Sequence, residues 1–152
     1  MIHRYAVPLV LLLTTGCVVW MREPDAYRAE IVERVETRDE TVQACYDALL
    51  VRRQSEIEAE ERASQGPYAD IGPVVSARVN ELQGNVVATV TVGADTGKMT
   101  MAVDAAGTSA PPEVAQCVLD SMDALSIAPP DKREGTVTLA FVLQVGQRPA
   151  QP

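Results

Sequence analysis

Three cysteines, one histidine and a run of closely spaced glutamates are the residues of this chain whose types could do chemistry. Cys17, Cys45 and Cys117 could act as nucleophiles, metal ligands, acylation points or disulfide partners. A Ser-His or Cys-His nucleophile needs an imidazole, and the single histidine is His3, at the very start. No phosphate-cradling glycine loop and no spaced Cys/His metal set occurs. Glu56, Glu58, Glu60 and Glu61 could pair for acid–base work, but catalytic carboxylates need burial to shift their pKa. On a stretch with only Ile57 as a large apolar residue they read as solvated. Met99 and Met101 read as core filling, since no histidine is near and thioethers adapt to gaps. The chain is therefore expected to have no catalytic residues, no metal, no cofactor and no small-molecule substrate.

The first segment is an address. His3 and Arg4 precede an apolar run from Ala6 to Leu13, then Thr14-Thr15-Gly16-Cys17. A charged start, a short apolar core and small residues before a cleavage point make a secretory signal. The run falls short of the roughly 20 residues a spanning helix needs. The small-small-Cys ending resembles the lipobox of bacterial lipoproteins, with Thr14 where Leu, Val or Ile is usual. That resemblance implies a signal peptide over 1–16, lipid on Cys17, and a domain held at the cell envelope facing the periplasm. Val18 in place of Asp favours the outer membrane over the inner. Trp20 lies beside the anchor, where an indole suits a membrane surface.

Removing 16 of 152 residues leaves 136, enough for one domain with a tether and short tails. His3 and Arg4 leave with the signal, so 12 basic residues face 21 acidic ones, a net side-chain charge of −9. Nucleic-acid binding needs clustered Lys and Arg, so no nucleic acid is expected. With Cys17 acylated, Cys45 and Cys117 remain, and two thiols in an oxidising compartment suggest one disulfide. Closing a loop of 72 positions should stabilise by about 4 kcal/mol in the chain-entropy model.

Residues 17–25 read as a tether, 26–146 as the domain and 147–152 as a tail. Ile31, Val35, Val42, Cys45 and Leu49 recur at near-helical spacing, with Arg38 interrupting them. Thr37 and Glu40 suggest a capping box, so one bent helix or two are both open. Arg52 to Ala63 reads as a solvated helical extension with a Glu58–Arg62 pair, ended by Gly66-Pro67. Tyr68 to Pro73 reads as loop, and Val74 to Leu82 fits strand or helix. Val86, Ala88, Val90 and Val92 alternate with Val87, Thr89 and Thr91, and Met99, Met101 and Val103 alternate after a turn at 93–97. Val114, Cys117, Val118, Met122 and Leu125 mark a second helix. Val137, Leu139, Phe141, Leu143 and Val145 mark the last strand. The expected fold is α+β, two main helices on one face of a small, mainly antiparallel sheet of three or four strands.

The order resembles the C-terminal domain family named for the AgmX and PglI gliding-motility proteins, itself similar to the TonB C-terminal domain. The matching pieces are 42–49, with Cys45-Tyr46-Asp47 at their centre, then 82–86, the Asp95/Gly97 hairpin, 114–118 with Cys117, and Pro129-Pro130 before the last strand. An insertion lies at about 51–81. Ile127-Ala128-Pro129-Pro130 lacks the family's aromatic, and Ala140-Phe141-Val142-Leu143 replaces its Pro-Phe-x-Phe. The resemblance implies an envelope interaction module; in TonB the domain receives a partner segment as an added strand.

Two functions follow as expectations. In the first, the last strand is an edge that an envelope protein completes, with Thr136, Thr138, Ala140, Val142 and Gln144 facing away from the core and flanking the added strand. In the second, the polar helix from Arg52 to Ala63 makes the chain a structural, self-associating envelope lipoprotein with no peptide capture.

Overall fold

Among residues 21–146, which the computed structural model describes, helix formation starts at a proline. The expected signal peptide, Cys17, Trp20 and the tail at 147–152 lie outside the described residues. Helix α1 (Pro24–Glu36) has its proline where the missing N–H costs nothing. Tyr27, Ile31 and Val35, spaced by four, form its buried stripe. A break at Thr37-Arg38 separates it from α2 (Asp39–Gln65), so the first apolar stripe belongs to two helices. The expected capping box is absent. The Thr37 hydroxyl instead donates back to the Arg34 carbonyl at 2.7 Å, closing α1 rather than opening α2.

The second half of α2 is not merely solvated. Its one large apolar residue, Ile57, is buried with Ile71, Val75 and Val79. The last two lie on α3 (Gly72–Asn80), which settles the ambiguous stretch as helix: residues four apart share its buried face. The expected Glu58–Arg62 pair does not form. The Arg62 guanidinium turns to the Pro67 carbonyl at 3.4 Å, and Glu58 accepts from the Gln54 amide at 2.9 Å. Arg78 of α3 reaches back to Glu60 at 2.9 Å and Glu61 at 3.0 Å. The insertion is thus a helical hairpin with its own small core.

Strands β1 (Gly84–Val92), β2 (Met99–Val103) and β3 (Gly135–Leu143) form one antiparallel sheet in the order β2-β1-β3. Helix α4 (Pro112–Ser121) stands between β2 and β3 in the chain. The fold is α+β, with four helices and three strands among the described residues. Val86, Ala88, Val90 and Val92 are the buried face of β1, and the three valines join residues of α1, α2 and α4 in the core. Their neighbours face the other way, so the opposite face of the sheet is open.

Helix α2 is linked to the elements around it. Cys45 on α2 and Cys117 on α4 are joined by a disulfide, with Cα atoms 5.9 Å apart, well within the range such a bond spans. Cys117 is buried as expected, whereas Cys45 is only half-buried, at the border of the core. Tyr46, fully buried, donates its hydroxyl hydrogen to the Leu82 carbonyl at 3.3 Å and so holds α2 to the segment that leads into β1.

Candidate functional site

A three-stranded sheet has two edges, and here the hydrogen-bond pattern shows which backbone groups each one presents. The Asp104 N–H donates to the Val87 carbonyl, and the Gly93 N–H donates to the Lys98 carbonyl, both across the β1–β2 pair. Odd-numbered residues of β1 therefore point their backbone groups at β2. In an antiparallel ladder the alternate residues point the opposite way, so Gly84, Val86, Ala88, Val90 and Val92 bond to β3. Their register partners are Leu143, Phe141, Leu139, Val137 and Gly135. It follows that Thr136, Thr138, Ala140 and Val142 aim their N–H and C=O groups outward, away from β1. None of the four makes a backbone hydrogen bond to another segment among the described residues.

These residues also carry the exposed side chains. Thr136, Thr138, Ala140, Val142 and Gln144 are all exposed, and Val142 keeps 62% of its surface. The first four lie on β3; Gln144 lies just past its end. Val137, Leu139 and Phe141 face the helices but stay half-buried, while Leu143 is buried. The strand runs nine residues with no charge, no proline and an unbroken register against β1.

The other edge is guarded. Strand β2 is five residues long, with Lys98 before it and Asp104 after it. Its outward backbone groups belong to Met99, Met101 and Val103, and the Met99 N–H is already taken by the Leu125 carbonyl at 3.0 Å. The Ile127 N–H donates to the Gly97 carbonyl at 2.9 Å, completing a short bridge between 97–99 and 125–127. Gly97 permits this approach because its φ is +63° and a Cβ there would lie 2.1 Å from the Ile127 carbonyl oxygen.

Beside the open edge lies a shallow groove of about 190 Å³ between the first turn of α2 and the far half of β3. Asp39, Val42 and Gln43 form its helical wall, and residues 140–143 its strand wall. Partial desolvation lifts the carboxyl of the otherwise exposed Asp39 above the ordinary carboxylate range, and neighbouring Glu36 adds to the rise. Among the described residues Asp39, Glu36 and Glu40 form no ion pair.

The opposite end of β3 is fixed to the beginning of the domain. Asp131 is completely buried, accepting from the Arg22 N–H at 2.7 Å and the Arg133 N–H at 2.9 Å. Those two backbone donors hold its carboxyl below the ordinary range. The Arg22 guanidinium binds Glu30 at 2.6 Å and the Pro129 carbonyl at 2.8 Å, and lies 5.4 Å from the centre of the Tyr27 ring. Arg133 donates to the Arg22 carbonyl, so both peptide groups flanking Arg22 are bound. The chain just after the expected anchor is therefore clamped beside the start of β3. No sequence pattern marks Asp131, which stands in a polar run, Pro130-Asp131-Lys132-Arg133, that reads as solvated loop.

Among the described residues no group of three or more His, Cys, Asp or Glu side chains is placed to hold a metal ion. No helix there is long and apolar enough to cross a membrane. No family model, no curated protein and no solved structure matches the chain.

Proposed function

We propose that the chain is a lipid-anchored, periplasm-facing envelope lipoprotein whose domain captures an extended segment of another envelope protein as a fourth strand beside β3. The observation that carries this reading is the outer edge of β3, nine residues long and without the lysines, prolines or bulges that normally protect such edges. In a chain whose residues are 22% charged, a charge-free strand of that length at an edge is a surface suited to pairing. The resemblance to TonB C-terminal domains points the same way. No reaction is assigned, and the partner is a protein segment rather than a nucleic acid or a small molecule.

The anchor supports the geometry. Four residues, 18–21, lie between Cys17 and the clamp at Arg22, so the domain would stand within about 20 Å of the bilayer surface. Self-association through Arg52 to Ala63 has less to rest on, because Ile57 is already covered by α3.

The test is proline substitution chosen by ladder direction. Thr138→Pro removes an N–H that points outward and spares the β1 ladder, as prolines at edges do. Pull-down of the envelope partner should fail with this variant while its melting curve stays cooperative. Undiminished capture by a folded Thr138→Pro protein would end the proposal.

A further inference from the structure

We infer that the strand completing β3 carries lysine or arginine opposite Phe141, with its stem on Phe141 and Val42 and its charge on Asp39. This rests on the strand-addition reading and adds the chemistry of the partner to it.

The ladder determines which side chain enters the groove. Phe141 turns its backbone to β1, so with an incoming antiparallel strand it forms the narrow pair, Cα atoms about 4.5 Å apart and side chains close. The partner residue opposite Phe141 points, as Phe141 does, toward the helices. It therefore enters the groove walled by Asp39, Val42 and Gln43.

That groove has an apolar floor and an acidic rim. Val42 is 4% exposed and Phe141 half-buried, whereas Asp39 is exposed. No basic residue lines it. An aliphatic side chain would cover the floor but take water from an unpaired carboxylate, which is unfavourable. A glutamate or aspartate would meet the Asp39 carboxylate, which already feels Glu36. Lysine and arginine alone lay a hydrocarbon stem on an apolar surface and end in a cation. A charge-assisted bond to Asp39 would then supply what the corner lacks.

The experiment is selection of random ten-residue peptides on phage against the whole mature chain, oxidised and held in detergent. Enriched peptides are synthesised, and their affinities measured by fluorescence anisotropy for the unmodified chain, for Asp39→Asn and for Glu113→Gln as a distant control. Amide exchange of β3 is followed in each complex. The expected result is alternating apolar peptides with one recurring Lys or Arg, binding at least tenfold more weakly to Asp39→Asn and unchanged by Glu113→Gln. Protection should appear at Thr136, Thr138, Ala140 and Val142. Peptides that protect these amides without a basic residue, or without loss at Asp39→Asn, would overturn the inference and leave strand addition standing. Peptides that bind without protecting β3, or no enrichment at all, would overturn both.

Discussion

The two edges of one sheet have been treated in opposite ways. Strand β2 is short, bracketed by Lys98 and Asp104, and bridged to residues 125–127. Strand β3 is nearly twice as long and leaves four residues' outward backbone groups without a protein partner among the described residues. Both strands pair with β1 in continuous register, so the difference does not arise from the ladder. It lies in what the chain places alongside. The segment after α4 folds back onto β2, whereas on the β3 side α1 and the start of α2 cover the inner face and leave a groove at the rim. An edge left open in this way carries an aggregation hazard, and a partner strand is the use that would justify it.

The largest expected effect tests the support behind both edges. The disulfide ties α4, which lies against β2, to α2, whose first turn walls the groove beside β3. Replacing both Cys45 and Cys117 with serine should lower stability by about 4 kcal/mol in the chain-entropy model, read as a fall in the urea midpoint. Unchanged stability would mean the helices hold without it.

A proline comparison separates the edges directly. Thr138→Pro and Val103→Pro each remove an outward N–H, one from the open edge and one from the guarded edge. Capture of the partner should fall about a hundredfold for the first and stay within twofold for the second, by the rule that 1.4 kcal/mol is tenfold. Leu139→Pro is a different experiment, since its N–H belongs to the β1 ladder and its loss removes one of the hydrogen bonds that hold the sheet.

A smaller effect is expected where β3 starts. A Cβ at Gly135 would lie 2.5 Å from the Tyr27 ring and 2.8 Å from the Ile31 side chain. Gly135→Ala should therefore cost about 1–3 kcal/mol by crowding, visible as a lower melting temperature. The mildest test is pH. The Asp131 carboxyl is lowered by the Arg22 and Arg133 N–H groups, so its contribution is complete above the unfolded value, about 3.9. It is lost as pH falls through the lowered folded value. Asp131→Asn should flatten the acid limb of the stability curve and speed exchange of the Arg22 amide, while β2 and its bridge are unaffected.

Much of this architecture is legible in the residues, and the exceptions have physical causes. Alternation over Val86–Val92 and Val137–Leu143 identifies strands because one face of each meets the helices. The paired cysteines are legible once Cys17 is set apart, since only two thiols remain. Strand order is not legible: which strand becomes the edge depends on where α1 and α4 dock, and no local pattern encodes that. The same holds for Asp131, whose burial is created by Arg22 arriving from more than a hundred positions away. Glu58 and Arg62 have the right spacing for an ion pair, yet Glu58 accepts from Gln54 one turn earlier and Arg62 turns to the Pro67 carbonyl in the loop that follows. Of the proposed interaction site, the outward side chains of β3 are readable from alternation. The groove beside them is not, because Asp39 and Val42 reach it only through the break at Thr37-Arg38.

The central claim is that the outer edge of β3 receives a partner strand. In-cell photocrosslinking tests it most directly, with a probe placed in turn at each position from Thr136 to Val145 and at Thr100 and Ala102 on β2. One envelope protein should be captured at alternating positions along β3, and nothing at the two β2 positions. Silence along β3 in folded, membrane-attached protein, or equal capture at both edges, would contradict it.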